Sequence, residues 1–162
     1  RALDVEGVLT DGRLYIDNQG NDMKSFSTRD GLGMRQLDEA GIVLALITAR
    51  SSNIVARRAA NLGIEHIYQG SNRKLDAYNH LLADTGIEES EVCYAGDDWL
   101  DIPLLDRVGL AVTVADADEV VKSRTHWVTS RPGGRGAVRE ICDLILAAQG
   151  LDEAALERIL NL

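Results

Sequence analysis

Residues 2–12 read ALDVEGVLTDG, and residues 92–105 read VCYAGDDWLDIPLL. In both stretches a short apolar segment is followed at once by carboxylates, Asp4 and Glu6 in the first and Asp97 and Asp98 in the second. Short, continuous apolar segments of this kind are typical of strands that are covered on both faces. The two stretches therefore predict neighbouring strands of a parallel sheet, with acidic groups at their carboxyl ends.

Strand-like and helix-like segments alternate along the rest of the chain. The predicted strands are Ala2–Val5, Ile42–Thr48, Glu65–Tyr68, Val92–Ala95, Leu110–Val114 and His126–Val128. The predicted helices lie at about 31–40, 52–62, 73–85, 99–107, 117–122, 135–148 and 152–160. This alternation predicts an α/β fold with a doubly wound, mostly parallel, Rossmann-like sheet.

One segment interrupts the alternation. Arg13–Ile16, the turn-rich residues 17–21 and Met23–Phe26 have the pattern of a β-hairpin inserted after the first strand. A chain of 162 residues has the length of one ordinary domain. We therefore expect a single domain over residues 1–162, with a hairpin flap at about 13–26 and a helical tail at about 151–162.

Composition excludes several classes of partner. The chain has 17 Lys and Arg residues against 26 Asp and Glu residues, a net charge of −9, which disfavours binding to nucleic acid or to an anionic membrane surface. The longest apolar run, Ile42–Ile47, is far shorter than the roughly 20 residues of a membrane span. Cys93 and Cys142 each lie in an apolar stretch, as expected of a reduced, cytoplasmic protein.

Polar residues suited to phosphate chemistry follow four of the predicted strands. Asp4 and Glu6 follow the first, Thr48 the second and Asp97 the fourth, while Lys74 opens the helix after the third. Taken singly, such residues more often serve as a helix cap, a structural hydroxyl or a solvated charge. The adjacent Asp97 and Asp98 are more suggestive, because neighbouring carboxylates at a buried strand end repel unless a cation offsets them. Together, at the edge where such sheets bind ligands, the polar residues after the four strands predict two carboxylate ligands for Mg²⁺, a hydroxyl donor and a positive charge for a phosphoryl group.

These motifs, in this order, resemble those of the haloacid dehalogenase superfamily of phosphotransferases. The four strings are DVEGVLTDG, ITAR, GSNRKLDAY and AGDDWLDIPLL. The longer strings STRDGLGMRQL, YQGSNRKL, GDDWLDIPLL and GGRGAVREICDLILAAQG are similar to its 3-deoxy-D-manno-octulosonate 8-phosphate phosphatase family, a capless group in lipopolysaccharide precursor biosynthesis. The resemblance implies a homotetrameric phosphatase of a small phosphorylated sugar acid.

The resemblance also implies a role for each motif residue. Asp4 would attack phosphorus and form an aspartyl-phosphate, while Glu6 would first protonate the leaving oxygen and then deprotonate water. Mg²⁺ would be held by Asp4, the backbone carbonyl of Glu6 and Asp97. Thr48 and Lys74 would hold the remaining phosphoryl oxygens.

Two further sets of residues follow from the same resemblance. Asp98 or Asp101 would orient water beside the ion. The substrate-contacting positions of the family correspond here to Ser27, Thr28, Arg29, Asp30, Gly31, Arg35, Arg50, Arg58 and Lys74. Several are basic, as expected for a substrate that carries both a phosphate and a carboxylate.

Three alternatives remain open from the sequence. A response-regulator receiver domain also uses Asp, Mg²⁺, Thr and Lys, but its phosphorylated Asp ends the third strand rather than the first. The substrate could instead be a nine-carbon, sialic-acid-like 9-phosphate. Finally, Glu6 stands where the family has Asp, which favours a catalytically weakened domain kept for oligomerisation.

The extra methylene of Glu6 yields a direct prediction. It displaces the acid/base carboxyl by about 1 Å, and a displacement of that size costs on the order of 10²-fold in rate when the geometry is tight. We expect a retuned rather than an inactive enzyme, in which Glu6→Asp raises kcat measured by phosphate release. An unchanged or lower kcat would contradict this interpretation.

Overall fold

Six parallel strands form the central sheet of the computed structural model, which describes residues 2–162. In chain order the strands are β1 (Ala2–Leu3), β4 (Ala45–Ile47), β5 (His66–Tyr68), β6 (Cys93–Ala95), β7 (Leu110–Thr113) and β8 (Trp127–Val128). Their order across the sheet is β5-β4-β1-β6-β7-β8, and every neighbouring pair is parallel. The strand order reverses at β1, so the doubly wound sheet is confirmed.

The paired strands are shorter than the apolar segments that predicted them. β1 ends at Leu3 because the backbone turns away over Val5–Leu9, although the Asp4 amide still donates to the Ala95 carbonyl oxygen at 2.9 Å. β4 pairs over three residues, from Ala45↔His66 to Ile47↔Tyr68, because its neighbour β5 has only that length. An apolar sequence pattern therefore indicates which residues are buried, whereas the number of residues that pair depends on the neighbouring strand.

Helices cover both faces of the sheet. They are α1 (Thr28–Glu39), α2 (Asn53–Leu62), α3 (Lys74–Thr85), α4 (Ile102–Leu105), α5 (Glu119–Lys122), α6 (Ala137–Ala148) and α7 (Asp152–Leu160). Two boundaries differ from the prediction. Helix α1 begins three residues early because the Ser27 hydroxyl accepts a hydrogen bond from the Asp30 amide. The helix predicted at 99–107 is divided into a 3₁₀ turn at Trp99–Asp101 and the short α4.

Each face of the sheet has its own apolar core. One contains Met34 and Leu37 of α1 packed near Ile141 and Cys142 of α6. The other lies under α3 and α4 and includes Tyr94, whose side chain is fully buried. None of the helices in residues 2–162 combines the length and the apolar character that crossing a membrane requires.

The predicted hairpin is present as a separate two-stranded sheet. β2 (Tyr15–Ile16) pairs antiparallel with β3 (Asp22–Met23). The Asp17 carboxylate closes the turn, since its Oδ1 accepts from the Gln19 and Asn21 amides at 2.9 Å each. Apolar side chains remain exposed on this hairpin, with Ile16 at 62% and Met23 at 70%.

The glycine-rich loop at 133–136 packs against the turn that follows β1. The Gly134 amide donates to the Val8 carbonyl oxygen at 2.9 Å. A Cβ atom on Gly133 would overlap the carbonyl oxygen of Gly7, which belongs to rigid backbone rather than to a flexible side chain. The loop therefore supports the Val5–Leu9 turn within the same chain.

Substitution of Gly133 tests this close contact. We expect Gly133→Ala to lower the free energy of unfolding by at least about 3 kcal/mol, because backbone must move to admit the methyl group. The matched control is Gly41→Ala, at a φ of 77° with no neighbouring atom within 4 Å, for which backbone strain alone predicts about 1–2 kcal/mol. Equal losses in denaturant titrations of the two variants would contradict the packing role.

Candidate active site

A cavity of about 290 Å³ opens at the carboxyl edge of the sheet, where β1, β4 and β6 end. Charged groups dominate its lining. Five of the lining residues are acidic and two are basic, namely Asp4, Glu6, Asp97, Asp98 and Asp101 with Arg50 and Lys74. The cavity therefore brings together side chains from all four sequence motifs.

Asp4 lies at the centre of this cavity, at the end of β1. Its Oδ1 accepts a hydrogen bond from the Val5 amide at 2.8 Å and lies 2.9 Å from the Nζ atom of Lys74. Burial and the neighbouring carboxylate of Asp101 raise the pKa of Asp4 to about 7, against the opposing effect of Lys74. A second positive charge beside Asp4 would therefore favour its ionised, nucleophilic form.

Lys74 and Asp101 form a buried ion pair behind Asp4. The Lys74 Nζ lies 2.6 Å from Asp101 Oδ1, and the Tyr94 hydroxyl donates to that same oxygen at 2.6 Å. The other oxygen of Asp101 accepts from the amides of Asp97 and Asp98 at 3.0 and 3.2 Å. Burial opposes the charge on Lys74, but Asp4 and Asp101 outweigh it and raise the lysine pKa.

Asp97 completes a group of three carboxylates. Oxygens of Asp4, Asp97 and Asp101 all lie within 4.8 Å of one another. Burial first, and then the charges of Asp4 and Asp101, raise the pKa of Asp97 to about 8. Gly7 lies so close that a Cβ atom there would overlap the Asp97 carboxylate. Both oxygens of Asp101 already accept hydrogen bonds, whereas Asp4 and Asp97 offer converging hard oxygens whose negative charge Lys74 only partly offsets. Such a pair fits a divalent cation such as Mg²⁺.

The two aspartates proposed as alternatives occupy different environments. Asp101 is buried and satisfied by four donors, as described above. Asp98 is exposed, and its carboxylate accepts from the Trp99 amide at 2.7 Å, so it caps the 3₁₀ turn. Of the two, Asp101 holds the backbone that presents Asp97.

Glu6 lies beside this group and is held by two partners. Its Oε2 accepts from the Thr48 hydroxyl at 2.6 Å, and its Oε1 lies 3.1 Å from the Nζ atom of Lys24. Burial works to raise the pKa of Glu6, but the contacts with Thr48 and Lys24 outweigh it and lower the pKa below its usual value. The resting carboxyl group is therefore ionised at neutral pH.

The backbone turn between Asp4 and the hairpin explains the spacing of the first motif. Gly7 adopts a φ of 82°, which favours glycine, and its amide donates to the Thr10 hydroxyl at 3.3 Å. The same hydroxyl accepts from the Gly12 amide at 3.2 Å. The turn thus presents Asp4 and Glu6 to one cavity.

Of the nine substrate-contacting positions, Arg50 and Lys74 lie in this cavity. Four others, Thr28, Gly31, Arg35 and Arg58, line a separate cavity of about 460 Å³ between α1 and α2. There the Arg58 guanidinium lies 5.8 Å from the centre of the Phe26 ring. Within one chain, these positions do not form one site with Asp4.

The remaining three positions have other surroundings. Arg29 lines a third cavity of about 520 Å³ together with Arg131 and Arg139. Ser27 caps α1, as described above. Asp30 is buried, and its Oδ1 accepts from the Arg139 amide at 2.8 Å, which joins the start of α1 to α6. The position at Asp30 therefore has a structural role in this chain.

Three residues that contact residues of the four motifs are not marked by the sequence patterns as part of the site. Tyr94 lies in an apolar strand, Thr10 in a turn and Lys24 in a polar hairpin. Their contacts join residues that are far apart along the chain or depend on the conformation of a turn. Sequence patterns of strands and helices do not reveal such contacts.

Comparison with known proteins identifies related chains. The haloacid dehalogenase-like hydrolase family matches residues 63–141. The 3-deoxy-D-manno-octulosonate 8-phosphate phosphatase of Escherichia coli is 50% identical over 153 residues, which cover 94% of this chain and 81% of that protein.

Solved structures share the same fold. The crystal structure of 3-deoxy-D-manno-octulosonate 8-phosphate phosphatase from Yersinia pestis is 48% identical with a TM-score of 0.93, and the match covers 94% of this chain and 82% of that one. The enzyme of that name from Moraxella catarrhalis, in complex with magnesium, phosphate and KDO, is 42% identical with a TM-score of 0.94 over 98% of this chain and 91% of that one.

The raised carboxyl pKa values predict a stability that depends on pH and on metal. The pKa values of about 7 for Asp4 and about 8 for Asp97 exceed those of an unfolded chain, so folding favours the protonated forms. This contribution is present below about pH 4 and is lost as the pH rises through 7 and 8. The free energy of unfolding measured in EDTA should fall over that range. Mg²⁺ at 100 times its Kd should raise the free energy of unfolding by about 2.7 kcal/mol.

Denaturant titrations at pH 5 and pH 8.5, with EDTA or with Mg²⁺, measure both effects. Asp97→Asn should flatten the pH dependence in EDTA and remove most of the Mg²⁺ effect. The control Asp106→Asn, at an exposed aspartate 2.9 Å from the Arg124 guanidinium, should retain both. A pH dependence that is identical in all three proteins would contradict the assignment.

Proposed function

This chain belongs to the 3-deoxy-D-manno-octulosonate 8-phosphate phosphatase family of haloacid dehalogenase-like hydrolases, and on that premise we propose how its own residues carry out the reaction. The substrate is 3-deoxy-D-manno-octulosonate 8-phosphate, and the products are the free sugar acid and phosphate. The convergence of Asp4, Asp97 and Lys74 in one acidic cavity, with Glu6 at its side, is the observation that carries the proposal.

Asp4, Asp97 and the backbone carbonyl of Glu6 are the groups that would hold Mg²⁺. The raised pKa values of the two aspartates indicate negative charge that the protein alone does not balance. When bound, the ion supplies a Lewis acid that offsets the charge on the transferring phosphoryl group. Asp101 keeps Asp97 in place by accepting a hydrogen bond from the backbone amide of Asp97.

The first chemical step is attack by the Asp4 carboxylate on phosphorus. A bond forms between an Asp4 oxygen and phosphorus, and the bond from phosphorus to the sugar oxygen breaks, which leaves an aspartyl-phosphate. The Lys74 ammonium, 2.9 Å from Asp4, supplies positive charge for the phosphoryl oxygens. The Thr48 hydroxyl lies at the same edge and orients Glu6.

Glu6 transfers protons in both halves of the reaction. In the first half its carboxylic acid form gives a proton to the departing sugar oxygen. In the second half its carboxylate takes a proton from the water that attacks phosphorus, and the bond between phosphorus and the Asp4 oxygen breaks, which releases phosphate and returns the Asp4 carboxylate. The resting, ionised form is suited to the second half. A substrate phosphate that enters the cavity adds negative charge beside Glu6, which favours the protonation that the first half requires.

Assembly and location complete the proposal. The hairpin exposes Leu14, Ile16 and Met23, of which Leu14 also lines the cavity. A homotetramer in which neighbouring copies cover this surface would also bring separated basic positions together. Arg50 in the cavity is available for the substrate carboxylate. We place the enzyme in the cytoplasm, where reduced, buried Cys93 and Cys142 are stable.

A panel of phosphate esters tests the function. In Mg²⁺ we expect the highest kcat/KM with 3-deoxy-D-manno-octulosonate 8-phosphate, a lower value with nine-carbon sugar-acid 9-phosphates, and loss of turnover in EDTA. Asp4→Asn should lower phosphate release by several orders of magnitude, because the amide is a poor nucleophile. The matched control Asp106→Asn should keep the wild-type rate.

Two outcomes would overturn the proposal. Turnover of none of the sugar-acid phosphates would favour the alternative of a catalytically weakened domain kept for oligomerisation. A higher kcat/KM with a nine-carbon 9-phosphate would retain the phosphatase but change its substrate.

A further inference from the structure

Lys24 is a buried cation on an otherwise exposed hairpin. It directly follows β3, and although the residue as a whole is half-buried, its side chain is only 6% exposed. The neighbouring Met23 is an exposed residue. Its Nζ atom lies 3.1 Å from the Oε1 atom of Glu6. Lysines are seldom buried unless they are paired, so the position of Lys24 is explained by this contact with Glu6.

The two oxygens of Glu6 have different partners on different elements. Oε2 accepts a hydrogen bond from the hydroxyl of Thr48, which follows β4, at 2.6 Å. Oε1 is buried and accepts no hydrogen bond from the described residues, and the Lys24 ammonium, 3.1 Å away, is its ion-pair partner. The hydrogen bond to Oε2 and the charge attraction at Oε1 act on opposite oxygens, so together they restrict the rotation of the carboxyl group more than either contact alone. The longer side chain of glutamate has one more rotatable bond than aspartate, so this restraint matters more here than it would for aspartate.

We propose that Lys24 is a positioning residue for proton transfer, which holds the carboxyl group of Glu6 toward the leaving oxygen from the hairpin. The inference rests on the proposed phosphatase function. It assigns the hairpin a second role besides assembly, since the hairpin then helps to complete the acid/base group. Lys24 itself is too shielded to bind the substrate as a mobile surface cation would.

The dependence on the leaving group distinguishes this role from a purely structural one. An alkyl oxygen needs a proton as it leaves, whereas p-nitrophenolate leaves as a stable anion. We expect Lys24→Met to lower kcat/KM for the sugar-acid phosphate by about 10- to 100-fold, and that for p-nitrophenyl phosphate by less than about threefold. Lys24→Arg, which keeps the charge, should recover most of the loss.

A double-mutant cycle provides the second test. If Lys24 acts through Glu6, its removal has no further effect once Glu6 can no longer transfer a proton. In a Glu6→Gln background, Lys24→Met should therefore change kcat/KM for the sugar-acid phosphate by less than about twofold. Losses that multiply across the two substitutions would overturn the proposal, as would equal losses with both substrates or no loss at all.

Controls separate folding and function from positioning. Lys122→Met removes another lysine paired with a glutamate, 2.7 Å from Glu119 and not among the residues that line the cavity, and should leave both rates unchanged. If Lys24→Met does not fold, by circular dichroism and thermal unfolding, Lys24→Gln replaces it in the same cycle with the same expectations.

If the wild-type enzyme hydrolyses p-nitrophenyl phosphate but no sugar-acid phosphate, the substrate proposal fails. The Lys24 tests are then performed with the alkyl phosphate that is hydrolysed fastest, so the two failures are distinguishable.

Discussion

The site depends on the ion pairs that the ammonium group of Lys74 forms with two buried carboxylates. The ammonium group lies 2.9 Å from Asp4 and 2.6 Å from Asp101, where it balances carboxylates that would otherwise repel one another inside the protein. Removal of one partner from a buried ion pair leaves an uncompensated charge, which is much more costly than the pair is favourable. The ends of β1 and β6 and the start of α3 are therefore held together by electrostatics as well as by apolar packing.

A second set of contacts surrounds this pair and controls the first motif. The Thr10 hydroxyl and the left-handed Gly7 shape the turn, and the loop at Gly133 packs against it from the opposite side. The hairpin contributes Lys24 to Glu6. Gly133 is needed where its backbone approaches the backbone of the turn, and Gly7 is needed for its positive φ and its close contact with the Asp97 carboxylate. The same short turn also presents charged side chains to the cavity.

Several features could be predicted from sequence because they depend on local pattern. The strand–helix alternation predicted the sheet, and the turn-rich residues 17–21 predicted the hairpin, since both depend on the periodicity and turn preferences of neighbouring residues. Helix α1 begins earlier than predicted because a Ser27 hydroxyl cap extends it. The helix predicted at 99–107 is divided because Asp98 and Asp101 are engaged in capping and in the buried ion pair rather than in a continuous helix.

The sequence by itself determined the type of sheet, and it predicted the sheet edge at which the motif carboxylates converge. These follow from rules that connect neighbouring residues and from the order of motifs along the chain. Only the tertiary structure decided that Asp101 rather than Asp98 is buried with Lys74, that Tyr94 joins them, and that Lys24 reaches Glu6. The physical reason is that a charge is buried only where folding brings it a partner, and those partners come from segments that are remote in sequence.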